Sequence, residues 1–90
     1  VPNDFSLEQN YPNPFNPSTS ISFNLPKQSN VNLRIYNALG EQSAVIINSE
    51  ILASGKHTYN FDASDLASGV YLYTLSTDFG SVSKKMTVLK

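Results

Sequence analysis

Apolar and polar residues alternate along much of the chain from residue 20 onward, which is the period of a strand with one buried face. Ile21–Leu25 alternates in this way before Pro26, and Val31–Ile35 repeats the pattern before a turn that ends at Gly40. Proline stops a central strand because it lacks the backbone N–H. We expect a positive φ at Gly40, since turns of this kind need one.

The middle of the chain predicts a third and a fourth strand. Glu41–Ile47 is rich in aliphatic residues, and Asn48–Glu50 is expected to break that strand. A second turn follows at Ala53–Lys56. We expect this turn and the earlier one at Asn37–Gly40 to be hairpin-like. The strand after it, His57–Phe61, alternates aromatic and polar side chains.

Two further strands are predicted near the end of the chain. Asp62–Gly69 is expected to cross to Val70–Thr77 with one helical turn, and Val82–Leu89 closes the chain. Six or seven short strands about ten residues apart, with turn formers between them, predict an all-β fold: an antiparallel β-sandwich.

The first 18 residues differ from the rest because they hold four of the five prolines and many asparagines. Proline also pushes the residue before it into an extended conformation, so Asn10–Pro17 should be a rigid, irregular strap. We therefore divide the chain into a Pro/Asn-rich strap and linker, residues 1–18, and a β-sandwich, residues 19–90.

Composition excludes several classes of function but does not identify the function. The chain has 90 residues, a formal net charge of −1 and no Cys. This length leaves little room for a deep catalytic cleft. The net charge gives no indication of a basic surface that would bind nucleic acid or an anionic membrane. No apolar run approaches the roughly 18 residues of a membrane helix, and a disulfide framework is excluded.

No group of residues indicates catalysis, a cofactor or a metal. His57 is the single imidazole and lies mid-strand without a nucleophile-elbow motif, so packing is favoured over a catalytic role. Asp62 and Asp65 flank a turn and could begin a calcium site, but two carboxylates are few, and capping of local turns is favoured.

The tyrosines and lysines leave two alternatives open. The five Tyr side chains could form a stacking platform for sugar, although a small sandwich needs such rings to complete its core. Lys84, Lys85 and Lys90 cluster at the end of the chain, where lysines discourage pairing of an edge strand. The residues alone favour this explanation, and the alternative is that the lysines form a recognised terminal signal.

Three segments resemble one known family, the type A C-terminal sorting domain of the type IX secretion system of Gram-negative bacteria. The opening segment, Gln9–Thr19, is similar to the family's Tyr-Pro-Asn-Pro-Phe-Asn-Pro signature. Leu66–Tyr73 resembles its Ser-Gly-Val-Tyr signature, and Lys84–Lys90 its basic pair, Met, aliphatic stretch and closing Lys. Phe61 departs from the Trp that the family often has, and Glu41–Ser43 departs from its usual basic and aliphatic residues.

The resemblance implies an immunoglobulin-like sandwich that catalyses nothing and directs a larger cargo, N-terminal to it, from the periplasm across the outer membrane. Its partners would be the type IX translocon and a sortase-like peptidase that cuts upstream and can attach the cargo to the cell surface. Residues 1–4 have neither an initiator Met nor the pattern of a signal peptide, so we expect a piece of a longer protein.

The sorting-signature residues carried over from the family lie in all three segments. They are Tyr11, Pro12, Asn13, Pro14, Phe15, Asn16, Pro17, Gly69, Tyr71, Lys84, Lys85 and Lys90. The alternatives are an accessory carbohydrate-binding module of an extracellular enzyme and a structural spacer, because a fold alone does not decide function.

Overall fold

A computed structural model describes residues 5–13 and 17–89, and within them every regular element is a strand. The strands are β1 (Ser6–Leu7), β2 (Ser18–Leu25), β3 (Ser29–Asn37), β4 (Gln42–Leu52), β5 (Gly55–Asp62), β6 (Gly69–Thr77) and β7 (Gly80–Val88). Among these residues there is no candidate for a membrane-spanning helix.

The strands form two antiparallel sheets. The three-stranded sheet has the order β1-β2-β5, and the four-stranded sheet has the order β4-β3-β6-β7. The prediction of an all-β antiparallel sandwich of about seven strands is confirmed. The order leaves β1, β5, β4 and β7 at sheet edges, so β7 is an edge strand as the lysine placement indicated.

The core lies between the sheets and follows the alternation of the sequence. The buried members are Leu7, Ile21, Phe23, Leu25, Val31, Leu33, Ile35, Ile47, Ala63, Tyr71, Tyr73, Leu75, Met86 and Val88. The Phe23 ring stacks on Tyr59 at 6.0 Å and on His57 at 5.4 Å between centroids. The inward faces of β2 and β3 are thus those that the period of two predicts.

The expected break at Asn48–Glu50 is wrong, because β4 continues through it to Leu52. The chain accommodates these polar residues as a bulge, with Leu33 opposite Ile47 but Val31 opposite Glu50. Ser49 has a φ of 53°, and its N–H donates to Asn32 Oδ1 at 2.9 Å. A bulge absorbs extra residues while the strand pairing resumes on both sides.

The linker at Ala53–Lys56 is not a hairpin, since β4 and β5 belong to different sheets. Hairpins form at the turns before β4 and before β7, and Gly40, with a φ of 85°, confirms the expected positive value. Between β5 and β6 the chain makes a single turn, closed by the Leu66 N–H to the Ala63 carbonyl at 2.9 Å, without a helix.

Candidate functional site

Only part of the predicted Pro/Asn-rich strap is described, and from here on the strap means residues 8–13, which lie across the β1 and β7 side of the sandwich. On one side the strap is bonded to β2: the Glu8 N–H donates to the Ser22 carbonyl at 2.9 Å. Tyr11 and Ser20 exchange two backbone hydrogen bonds of 3.0 and 2.9 Å. The described part of the predicted irregular strap, residues 10–13, therefore continues the pairing that β1 makes with β2, and residues 14–16 of that prediction lie outside the described residues.

A buried tyrosine hydroxyl connects the strap to β6. The Asn10 backbone N–H donates to Tyr73 Oη at 2.8 Å, and this hydroxyl donates to the Glu8 carbonyl at 2.9 Å. Tyr73 is fully buried. Burial raises its pKa, and the Asn10 N–H bond opposes that effect in part. A buried hydroxyl that both donates and accepts satisfies two backbone groups at once.

The Asn10 side chain completes a second buried polar contact, with Thr19. Asn10 Nδ2 donates to Thr19 Oγ1 at 3.0 Å and to the Pro12 carbonyl at 3.2 Å. Thr19 Oγ1 donates to the same carbonyl at 2.9 Å. Asn10 is 2% exposed and Thr19 is 3% exposed, so these bonds fix the course of the strap from inside the protein.

The other side of the strap covers part of the free edge of β7. Gln9 Nε2 donates to the Lys85 carbonyl at 2.8 Å and to Asn10 Oδ1 at 2.7 Å. The Thr87 N–H donates to Asn13 Oδ1 at 2.9 Å. Unpaired backbone groups on an edge strand invite pairing with another chain, and here two of them are already bonded.

The three segments that carry the family resemblance therefore meet at one place. Tyr73 comes from the second segment, Lys85 and Thr87 from the third, and the strap from the first. We call the place where the strap, Thr19, Tyr73, Lys85 and Thr87 meet the signature site. It brings together residues more than 60 positions apart, since Asn10 and Tyr73 are separated by 63 and Gln9 and Lys85 by 76.

The described sorting-signature residues of the first segment are exposed, unlike the buried Asn10 and Thr19. Tyr11 is 81% exposed, and Pro12 and Asn13 are exposed beside it. Pro17 is also exposed, and its carbonyl accepts the Ala63 N–H at 2.7 Å. Three further members lie outside the described residues: Pro14, Phe15 and Asn16.

Those of the second and third segments lie on β6 and β7. Gly69 has a φ of 152°, and the buried Tyr71 donates its hydroxyl to the Ala67 carbonyl at 2.8 Å. Lys84 is half-buried opposite Tyr73 on the inner face, whereas Lys85 is exposed opposite Leu72 on the outer face. The basic pair is thus divided between two faces, and Lys90 lies outside the described residues.

The sequence-based prediction of site residues missed Gln9, Asn10, Thr19 and Tyr73, although the resembling segments include them. Two of these carry a signal in the sequence. Thr19 falls in the inward register of Ile21 and Phe23, and Tyr73 falls in that of Leu75. A polar group on an inward position must find a hydrogen-bond partner, so this register marks both residues as members of a buried network.

The other candidate chemistry has structural explanations. His57 Nε2 is 2.8 Å from the Ala53 carbonyl, and its ring stacks on Phe23. Asp62 accepts the Ser64 N–H at 2.8 Å, which confirms an Asx turn. Within residues 5–13 and 17–89, no three His, Cys, Asp or Glu side chains cluster as metal ligands would, and no pocket is found.

The tyrosines do not assemble into one platform. Tyr71 and Tyr73 are buried in the core, as packing predicts, and Tyr59 is half-buried against Phe23. Burial, and then the nearby Glu50 carboxylate, raise the pKa of Tyr59.

The described residues thus form an all-β sandwich in which parts of three distant segments meet beside the edge strand β7. The sequence profile of the secretion system C-terminal sorting domain family matches residues 9–89. The chain therefore belongs to this family, which links it to type IX secretion and to export. Searches of curated proteins and of solved structures found no match.

Proposed function

We propose that this chain is the C-terminal sorting signal of a larger exported protein, and that it delivers its N-terminal cargo from the periplasm through the type IX translocon. The observation that carries the proposal is the family match over residues 9–89. The signature site supports it, because residues of the first matching segment are hydrogen-bonded there to residues of the second and the third.

The domain acts as a binding module and not as an enzyme. The single imidazole is engaged by a backbone carbonyl and an aromatic ring, and the described residues enclose no pocket for a substrate. Recognition must then use exposed groups, of which Tyr11 and Lys85 belong to the signature. The buried Asn10, Thr19 and Tyr73 hold the strap that positions Tyr11.

A translocon component could recognise β7 in two ways, and the strap that covers its edge affects them differently. Strand addition by a translocon component would have to displace Gln9 from the Lys85 carbonyl and Asn13 from the Thr87 N–H. An ion pair between the exposed Lys85 ammonium and a carboxylate of the partner needs no such displacement. The second mode is therefore favoured with the strap in place.

A fusion experiment tests the sorting role. A reporter carrying this chain at its C-terminus should leave a type IX-competent cell, whereas the same fusion followed by a further folded domain should stay in the periplasm. A structural spacer carries no export signal, so it predicts that both fusions stay in the periplasm. Retention of the first fusion, with its chain folded, would contradict the proposal.

We further propose that a sortase-like peptidase removes the domain and joins the cargo to the cell surface. An exported reporter with one epitope in the cargo and another in this chain would then retain only the cargo epitope at the surface. Surface material that keeps both epitopes would contradict cleavage while leaving the sorting role intact.

A further inference from the structure

The two outward faces of the sandwich differ in chemistry. Along β2 and β5 every outward side chain is polar or charged: Ser18, Ser20, Ser22, Asn24, Lys56, Thr58, Asn60 and Asp62. An antiparallel sheet with one solvated face normally has this composition. The outward face of the four-stranded sheet departs from it, with Val45, Val70 and Leu72 between 42% and 45% exposed.

These apolar side chains are neighbours across the sheet. Tyr36 lies opposite Leu72, and Leu72 lies opposite Lys85, so the three form a transverse row. In the adjoining row Val45 lies opposite Arg34. We call Arg34, Tyr36, Val45, Val70, Leu72 and Lys85 the outer patch; it contains two cations and no carboxylate.

Arg34 is held in place without being neutralised. Its guanidinium donates to Gln42 Oε1 at 3.1 Å, and to Asn32 Oδ1 and Asn48 Oδ1 at 3.3 Å each. All three acceptors are neutral amide oxygens. The ion pair that the described residues do form, Lys56 Nζ to Glu8 Oε2 at 3.3 Å, involves the other sheet.

We propose that the outer patch is the docking surface for a protein partner that presents carboxylates around an apolar side chain; this rests on the sorting role proposed above. The hydrogen-bonded Arg34 and the exposed Lys85 lie beside apolar side chains, so the outer patch complements such a surface in charge and in polarity. A lipid surface is disfavoured because stable electrostatic attraction to anionic lipids uses clusters of basic residues, whereas this chain has a net charge of −1.

A pair of substitutions at Leu72 tests both parts of the proposal in the reporter fusion. Leu72→Glu places a negative charge between the cations and should lower export by about tenfold or more, since like charges across an interface are strongly unfavourable. Leu72→Lys removes the same apolar contact but keeps the sign, and should lower export less. Thr58→Glu, with the same charge change on the opposite face, should export as the unchanged fusion does.

The unfolding midpoint of each variant chain separates docking from folding. Leu72 is an exposed, outward position, so both variants should unfold within a few degrees of the parent. If Leu72→Glu lowers the midpoint strongly, the Val70→Glu and Val70→Lys pair replaces it, because Val70 is equally exposed on the same face.

The outcomes distinguish this inference from the sorting role. Normal export of a folded Leu72→Glu fusion overturns the docking surface and leaves the sorting role standing. Equal loss with Glu and Lys overturns the acidic partner. Retention of the unchanged fusion overturns both proposals. Binding of the chain to vesicles of phosphatidylglycerol and phosphatidylcholine, abolished by Leu72→Glu, would assign the patch to a membrane and overturn the protein partner.

Discussion

The Tyr73 hydroxyl accepts the backbone N–H of Asn10 at 2.8 Å, across 63 residues of chain. The same hydroxyl donates to the Glu8 carbonyl, so one side chain of β6 satisfies two backbone groups of the strap. This contact joins the first and second signature segments, and it makes the strap part of the folded domain.

Replacing Tyr73 by Phe should destabilise the domain more than replacing Tyr71 by Phe. Tyr73→Phe leaves a buried N–H and a carbonyl without their partner, which costs about 1–3 kcal/mol for each unsatisfied group. Tyr71→Phe removes one bond, to the Ala67 carbonyl, and should cost about 0.5–1.5 kcal/mol. Urea unfolding of both variants measures the difference, and equal losses would contradict the role assigned to Tyr73.

Removing the Asn13 amide should open the covered edge of β7 locally. Because Asn13 Oδ1 accepts the Thr87 N–H, Asn13→Ala should speed hydrogen exchange of that amide, by about tenfold or more if the strap supplies most of its protection. Gln9→Ala is the matched control, since Gln9 bonds the Lys85 carbonyl and leaves the Thr87 amide covered. Unchanged exchange in Asn13→Ala would show that this bond does not protect the edge.

Stability should fall in alkaline solution. Burial raises the pKa of Tyr73 and of Tyr59 above the ordinary value of about 10. The folded state therefore holds both phenolic protons more tightly than the unfolded state does. Their contribution is fully present below the unfolded value, and it is lost as pH rises through the folded values. Unfolding midpoints at pH 8 and at about pH 11 should differ less in Tyr73→Phe than in the parent chain.

Stability and export should separate at the signature site. Tyr11 is 81% exposed, so we expect Tyr11→Ala to change the free energy of unfolding by less than about 0.5 kcal/mol. Thr19→Val, which removes a buried donor to the Pro12 carbonyl, should cost about 1–3 kcal/mol.

The same two variants compared in the export assay assign their roles. Thr19→Val should lose export only as far as it unfolds and should recover at lower temperature. A loss of export in the fully folded Tyr11→Ala would assign recognition to the exposed ring. Unfolding of Tyr11→Ala would instead place Tyr11 among the structural residues.

The sequence predicted the strands well because alternation reports burial directly, as with Ile21, Phe23 and Leu25. It failed at Asn48–Glu50, where polar residues favour a break but the neighbouring pairs with β3 keep the strand continuous. It also could not give sheet membership, since a short linker such as Ala53–Ser54 serves a hairpin and a sheet crossing equally well.

The signature site was predictable in part. Resemblance selected the segments, but the placement of Asn10 against Tyr73 depends on long-range packing that no local pattern contains. Likewise, Lys84 and Lys85 are adjacent in sequence, and only the register of β7 against β6 assigns Lys85 to the outer face. The division at residues 18 and 19 stays a prediction.

Export of one reporter in two cells tests the sorting role most directly. The reporter carries this chain at its C-terminus and is expressed in a type IX-competent cell and in the same cell without the translocon. We predict that the reporter reaches the surface or the medium in the first cell and stays in the periplasm in the second. Equal export from both cells, or retention of the folded fusion in both, would contradict the sorting role.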